Sequence, residues 1–135
     1  MDRQTVNLET PLEKSIGFSR ATRLGGWIAV SGTAAIDSDG STIGLGDVYK
    51  QTRFCLERSI DAIEALGGSA DGVQRTRIML TDISQWEAAA KAHGEIFAAI
   101  QPACTFVEVK GFISPEWLVE TEMDAVCSPA GSNTG

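Results

Sequence analysis

The 135-residue chain carries 11 Lys and Arg against 18 Asp and Glu, a formal net charge of −7, with 43% of its residues hydrophobic. That length suits one domain over residues 1–135 with a core at about 16–127, while the acid excess and the absence of a Lys/Arg cluster argue against a nucleic-acid partner. Three cysteines without a CxxC pair, one histidine, no long apolar run and no signal pattern at Met1-Asp2-Arg3-Gln4 argue against a disulfide framework, a metal site and a membrane, and make a cytoplasmic location the expectation.

Residues 1–25, with Pro11, Gly17 and Gly25-Gly26, read as extended and loop-rich, with Arg20 and Arg23 either at the surface, the default, or reaching a cleft. Trp27-Ile28-Ala29-Val30-Ser31-Gly32 reads as a short strand closed by a small-residue turn. Asp47 caps a helix to about Leu66 whose stripe is Val48, Thr52, Cys55, Leu56, Ser59, Ile60, Ile63 and Leu66, ended by Gly67-Gly68. Val73 to Leu80 alternates as a strand. Ser84-Gln85-Trp86-Glu87 reads as a capping box, with Ile83 and Ala88 as its hydrophobic staple, opening a helix to about Ile100. Pro102 stops that helix. Strands follow over 103–109 and 117–127, and the small polar tail 128–135 is expected to fray. The order predicts a two-layer α+β domain, a mixed sheet with two helices on one face.

Alternation assigns the faces. Thr76, Ile78 and Leu80 face the helices; Arg75, Arg77 and Met79 face away. In the last strand Val119, Met123, Ala125 and Cys127 face the helices; Glu120, Glu122 and Asp124 face away. In the strand 103–109, Ala103, Thr105, Val107 and Val109 are expected on the helix side, with Cys104, Phe106 and Glu108 on the other. The outer face would then mix opposite charges with Phe106 and Met79. It is either a solvated face of weak cross-strand ion pairs or a surface buried against copies of the same chain.

Several short stretches together resemble the RidA/YjgF family, also called the L-PSP endoribonuclease family. They are Gly17-Phe18-Ser19-Arg20-Ala21, Val30-Ser31-Gly32-Thr33, Gly46-Asp47-Val48 with Gln51-Thr52-Arg53, Leu80-Thr81-Asp82-Ile83, Pro102 through Val109, and Leu118-Val119-Glu120-Thr121-Glu122. The resemblance spans about residues 16–127. It implies a chorismate-mutase-like fold, a homotrimer with clefts between subunits, and hydrolysis of small enamine or imine metabolites to 2-oxo acids and ammonia without metal or organic cofactor. Carried over residue by residue, it places the water-orienting glutamate at Glu122 and the Ser-Gly turn at Ser31-Gly32. A cleft tyrosine becomes Phe18, and a carboxylate-holding arginine becomes Cys104, followed by Thr105. A thiol cannot reproduce a bidentate guanidinium, so the usual 2-imino-acid activity is not implied in full.

The candidate residues each have two readings. Cys104 is a nucleophile if a cation lowers its pKa, and otherwise a small inert hydrophobe, which its acidic neighbours favour. Arg77 (or Arg75) either binds a substrate carboxylate or pairs with Glu120, Glu122 or Asp124. Glu122 either positions water or sits in that ion pair, which would make it a poor base. His93 is an acid/base group or a core-edge histidine. The function expected is a hydrolytic deaminase of a small metabolite. The alternatives are a non-catalytic metabolite-binding trimer and, against the acidic balance, an endoribonuclease.

Overall fold

A computed structural model describes residues 1–128; the tail expected to fray lies, from Pro129 on, outside the described residues. The elements in chain order are β1 (Gln4–Val6), α1 (Pro11–Ile16), β2 (Ala21–Leu24), β3 (Trp27–Ala34), α2 (Val48–Ala65), β4 (Val73–Leu80), α3 (Trp86–Phe97), β5 (Ala103–Glu108) and β6 (Val119–Val126). One mixed six-stranded sheet has the order β1-β2-β3-β6-β4-β5, antiparallel throughout except for the parallel pair β4–β5. Helix α3 makes the crossover that a parallel pair requires. Helices α2 and α3 pack on each other, and the core lies between them and the sheet, around Ile28, Val30, Leu56, Ile63, Ile78, Leu80, Phe97 and Met123. Burying each such side chain contributes about 1.5–3 kcal/mol. The expected α+β fold is therefore the observed one.

Helix α2 starts as its sequence says: the Asp47 carboxylate accepts from the Lys50 N–H at 3.0 Å. Its end is fixed twice, by Gly67 at φ 91° and by Arg23. Arg23 is buried and donates from Nη1 to the Leu66 carbonyl at 2.6 Å and from Nε to the Gly25 carbonyl at 2.8 Å. A cation at a helix C-terminus complements its dipole. Arg23 is thus an interior strut, not the surface residue expected. Gly72, entering β4, lies so close to the Val126 carbonyl that a Cβ there would collide with it.

Five local expectations are corrected. The first 25 residues hold two strands and a helix, because Thr10-Pro11-Leu12-Glu13 is itself a helix start. Thr10 Oγ1 accepts from the Glu13 N–H at 3.3 Å, and Pro11 fills the first turn where no N–H is needed. Strand β3 does not turn at Ser31-Gly32 but runs on to Ala34. The start of α3 is capped by Asp82 rather than Ser84: Asp82 Oδ1 accepts from the Ser84 N–H at 3.0 Å and opens a 3₁₀ turn, Ile83–Gln85, ahead of the α-helix. That helix then stops at Phe97, three residues earlier than expected.

The fifth correction bears on the site. In β5, Thr76 pairs with Cys104, Ile78 with Phe106, and Leu80 with Glu108. Cys104, Phe106 and Glu108 therefore share the helix side, and Ala103, Thr105 and Val107 the outer side, the reverse of expectation. Phe106 packs edge-on against Trp86, ring centroids 6.3 Å apart, and near His93 at 6.4 Å. Glu108 accepts from the Ile83 N–H at 3.0 Å. A ring with aromatic partners and a carboxylate with a backbone donor, both on the helix side, hold this edge strand in that register.

Candidate functional site

The sheet's outer face, away from α2 and α3, gathers the chemistry. Pairing in β3 shifts between Val30↔Met123 and Thr33↔Thr121, so Ser31 and Gly32 together oppose Glu122 in a β-bulge. Glu122 is in register with Arg77, and Arg77 with Thr105. One row across four strands therefore reads Ser31-Gly32, Glu122, Arg77, Thr105. Three strand spacings make it roughly 14 Å long. Five of the seven residues singled out from sequence lie in this row. Above it runs a second row, Ala34, Glu120, Met79, Val107.

Phe18 sits beyond the end of the row. It follows the left-handed Gly17 that ends α1 and is 41% exposed. With Ser31 it lines an open hollow of about 580 Å³. Cys104 does not join them. It is exposed on the free edge of the sheet, on the opposite side, next in register to Thr76, whose Oγ1 lies 2.8 Å from His93 Nε2. Burial holds the His93 imidazole below its ordinary pKa of 6.5. His93 is thus a half-buried core-edge residue hydrogen-bonded within the helix–sheet layer.

The two glutamates of the outer face differ. Glu122 Oε1 lies 3.2 Å from Arg77 Nη1, a partly exposed ion pair of the kind worth about 1 kcal/mol or less. The Glu120 carboxyl has no hydrogen-bond partner among the described residues, and the residue is half-buried. A Cβ on Gly32 would come within 3.0 Å of Glu120 Oε1, so the carboxyl lies against the bulge. Burial raises its pKa above the usual 4.5, the nearby Arg20 opposes that, and Glu122 adds to it.

The bulge is held from beneath by Arg20. Its Nη2 donates to the carbonyls of Ser31 at 2.6 Å and Gly32 at 3.2 Å and to Thr33 Oγ1 at 2.5 Å, while Ser31 N–H donates back to the Arg20 carbonyl at 3.0 Å. Burial, helped by Arg58, lowers the Arg20 pKa. The surface placement expected for Arg20 is thus also corrected. Sequence offers Arg20 only as a surface residue able to reach a cleft, and Glu120 only as a partner in an ion pair. Alternation puts Glu120 and Glu122 on one face without ranking them, and nothing local marks Arg20 as the support of the bulge. Among the described residues no group of three His, Cys, Asp or Glu side chains is placed to hold a metal ion.

Comparisons with known proteins agree with this architecture. A protein of Streptomyces coelicolor, SCO2049, is 36% identical over 120 residues, 89% of each chain. The crystal structure of Rv2704 from Mycobacterium tuberculosis, a member of the YjgF/YER057c/UK114 family, superposes with a TM-score of 0.84 at 36% identity, covering 93% of this chain and 100% of that one. Escherichia coli TdcF, solved with bound serine, shares the fold at 21% identity, with a TM-score of 0.76 over 92% of this chain and 94% of that one. The family model described as Endoribonuclease L-PSP matches residues 9–127, and the chain belongs to that family.

Proposed function

We propose that this chain is a hydrolytic deaminase of a small enamine or imine metabolite, working at the outer sheet face within a homotrimer. The observation that carries the reading is the contrast between the two glutamates. A general base needs a pKa raised toward the working pH and no competing cation on its oxygens. Glu120 meets both conditions; Glu122 is occupied by Arg77. The water-activating role expected of Glu122 therefore falls better to Glu120, with Glu122 fixing Arg77.

The reaction then runs as follows. Glu120 takes a proton from water as the water oxygen attacks the imine carbon, and hands that proton to the nitrogen as the C=N bond becomes single, which leaves the carboxylate as it began. The carbinolamine passes its hydroxyl proton to nitrogen, the C–N bond breaks, and ammonia and a carbonyl product leave. The Ser31-Gly32 bulge walls the site at the oxygen, Phe18 supplies an apolar wall, and Arg77 and Thr105 lie further along the row for polar groups of the substrate. Cys104 has no part in this reading.

The test supplies an imine generated in situ by an amino-acid oxidase and measures ammonia release above the spontaneous rate. Glu120→Gln is expected to lower kcat by 10²-fold or more, the usual scale for a lost general base. Glu122→Gln is expected to cost much less. A base works only when deprotonated, so activity should fall as pH drops through the Glu120 pKa, above the ordinary 4.5. No release above background across several imino acids defeats the reading. One observation favours a second reading, a metabolite-binding trimer without turnover: Cys104 stands where the resemblance expects an arginine. A thermal shift with small carboxylates and no ammonia release would support it.

A further inference from the structure

Thr33 follows the Ser31-Gly32 bulge in β3 and is buried. Its hydroxyl meets three groups. Oγ1 donates to the Ser31 carbonyl at 2.9 Å, accepts from Arg20 Nη2 at 2.5 Å and accepts from Ser59 Oγ at 3.1 Å. A hydroxyl offers one proton and two lone pairs, so that of Thr33 is fully used. A guanidinium only donates, so the Thr33 proton cannot go to Arg20. With Ser59 donating as well, it goes to the Ser31 carbonyl. Ser59 is fully buried on α2, which packs on β3.

The Ser31 carbonyl therefore accepts twice, from Thr33 and from Arg20, and Ser31 Oγ is held in turn by donating to the Ser19 carbonyl at 2.6 Å. The other half of the bulge is the wall of the site: a Cβ on Gly32 would come within 3.0 Å of Glu120 Oε1. A shift of the bulge by a few tenths of an ångström thus changes how far water reaches the carboxyl. A continuous chain of hydrogen bonds and contact runs from Ser59 on α2, through Thr33 and the bulge, to Glu120 on the opposite face of the sheet.

We infer that Ser59 is a positioning residue for Glu120, acting through the Thr33 hydroxyl on the Ser31-Gly32 bulge. The inference rests on the functional reading above and extends its site through the sheet to α2. Ser59 and Thr33 carry no charge, so removing either hydroxyl leaves the charges around Glu120 as they are. Those are Arg20 from the approach to β2 and Glu122 on the same strand, with Cys55 of α2 nearby as a neutral thiol; the register neighbours Ala34 and Met79 do not titrate. A changed Glu120 titration then reports the position of the bulge. Burial is what raises the Glu120 pKa, so a loosened bulge that admits water should lower it toward the ordinary 4.5. A weaker base gives a slower reaction, and its acid limb lies at lower pH.

The test follows the Glu120 carboxyl directly, by NMR titration of the full chain labelled with carbon-13 at its glutamate carboxyls, Glu120→Gln assigning the signal. Ammonia release from an imine generated in situ gives kcat and KM across pH. Ser59→Ala should move the Glu120 titration down and the acid limb of kcat with it. It should cost about tenfold in kcat at an unchanged KM, part of the roughly 10²-fold that a misplacement of about 1 Å can cost. Thr33→Val should do the same, Thr33→Ser should keep the wild-type titration, and Ser59→Ala added to Thr33→Val should change nothing further, because the chain is already cut. Thr121→Val is the control: it removes an equally buried hydroxyl beside Glu120 whose Oγ1 has no hydrogen-bond partner, and it should leave the titration in place. Ser59→Ala puts the best helix former into α2 and should fold; the Thr33→Val and Thr33→Ser pair decides the matter if it does not. An unchanged Glu120 titration in Ser59→Ala, additive shifts in the double variant, or an equal shift in Thr121→Val overturns the inference. The two readings fail separately. A titration that moves in Ser59→Ala, without ammonia release by the wild type, removes the deaminase and keeps the positioning. Ammonia release that Glu120→Gln abolishes, with an unmoved titration in Ser59→Ala, removes the positioning and keeps the deaminase.

Discussion

Glu120 and Glu122 sit two residues apart, on one face of one strand, with identical side chains, and their surroundings give them different chemistry. One meets a guanidinium from β4; the other meets the α-carbon of Gly32 and partial burial. Sequence alternation reaches the face but stops there, because rank order depends on partners from strands 40 or more residues away. The cysteines make the same point and give a direct test. Cys55 is fully buried, and burial pushes its thiol up to about 12, whereas Cys104 is exposed on the sheet edge and Cys127 is intermediate. The thiolate is the reactive form, so access orders the three, and the raised pKa of Cys55 sets it further back. With a chromogenic disulfide reagent at pH 8, Cys104 should react first, Cys127 more slowly, and Cys55 only after denaturant is added. Prompt labelling of Cys55 in the native protein, read by peptide mass spectrometry, would contradict the buried placement.

At the scale of elements, what was legible followed periodicity, and what was not followed from tertiary partners. Helix α2, strand β4 and strand β6 repeat their apolar residues cleanly and were readable with their faces. Strand β5 was readable as a strand but not in its facing. Its two sides carry Cys104, Phe106 and Glu108 against Ala103, Thr105 and Val107, and only the aromatic pocket made by Trp86 and His93 decides between them. The Ser31-Gly32 pair suggests a turn because small residues mark turns and bulges alike; Arg20, from the approach to β2, holds it as a bulge. Arg20→Gln would leave those carbonyls without their donor. Charged-group hydrogen bonds contribute about 1.5–3 kcal/mol each and not additively, so a loss of about 2–4 kcal/mol in urea unfolding is expected. Unfolding free energy unchanged to within 0.5 kcal/mol, a margin of about the size typical of surface substitutions, would show that the bulge stands without Arg20.

At the scale of the whole molecule the outer face still asks for a partner, though on different residues from those first expected. Phe106 is committed to the helix side, so it no longer argues for contact between copies. Val107, 40% exposed, Met79, partly exposed, and exposed Ala103 take its place, interleaved with Arg75, Arg77 and the acidic residues of β6. Helices α2 and α3 cover the other face, while Arg77, Thr105 and Val107 on this one are exposed. Apolar side chains beside charges of both signs suit a self-complementary surface, since each copy offers both an acid and a base to its neighbour. The trimer should therefore depend on Val107, which lies on the outer side at the sheet's free edge and contributes nothing to the core cluster. Light scattering at micromolar concentration should give wild-type protein a mass three times the chain's 14.3 kDa. Val107→Glu should shift it to the monomer mass while far-ultraviolet circular dichroism stays unchanged, because an unpaired carboxylate buried between copies costs several kcal/mol. A wild-type monomer would end the proposal of a trimer. A trimeric Val107→Glu variant would move the contact away from this face, and with it the expectation that neighbouring copies close the row from Ser31 to Thr105.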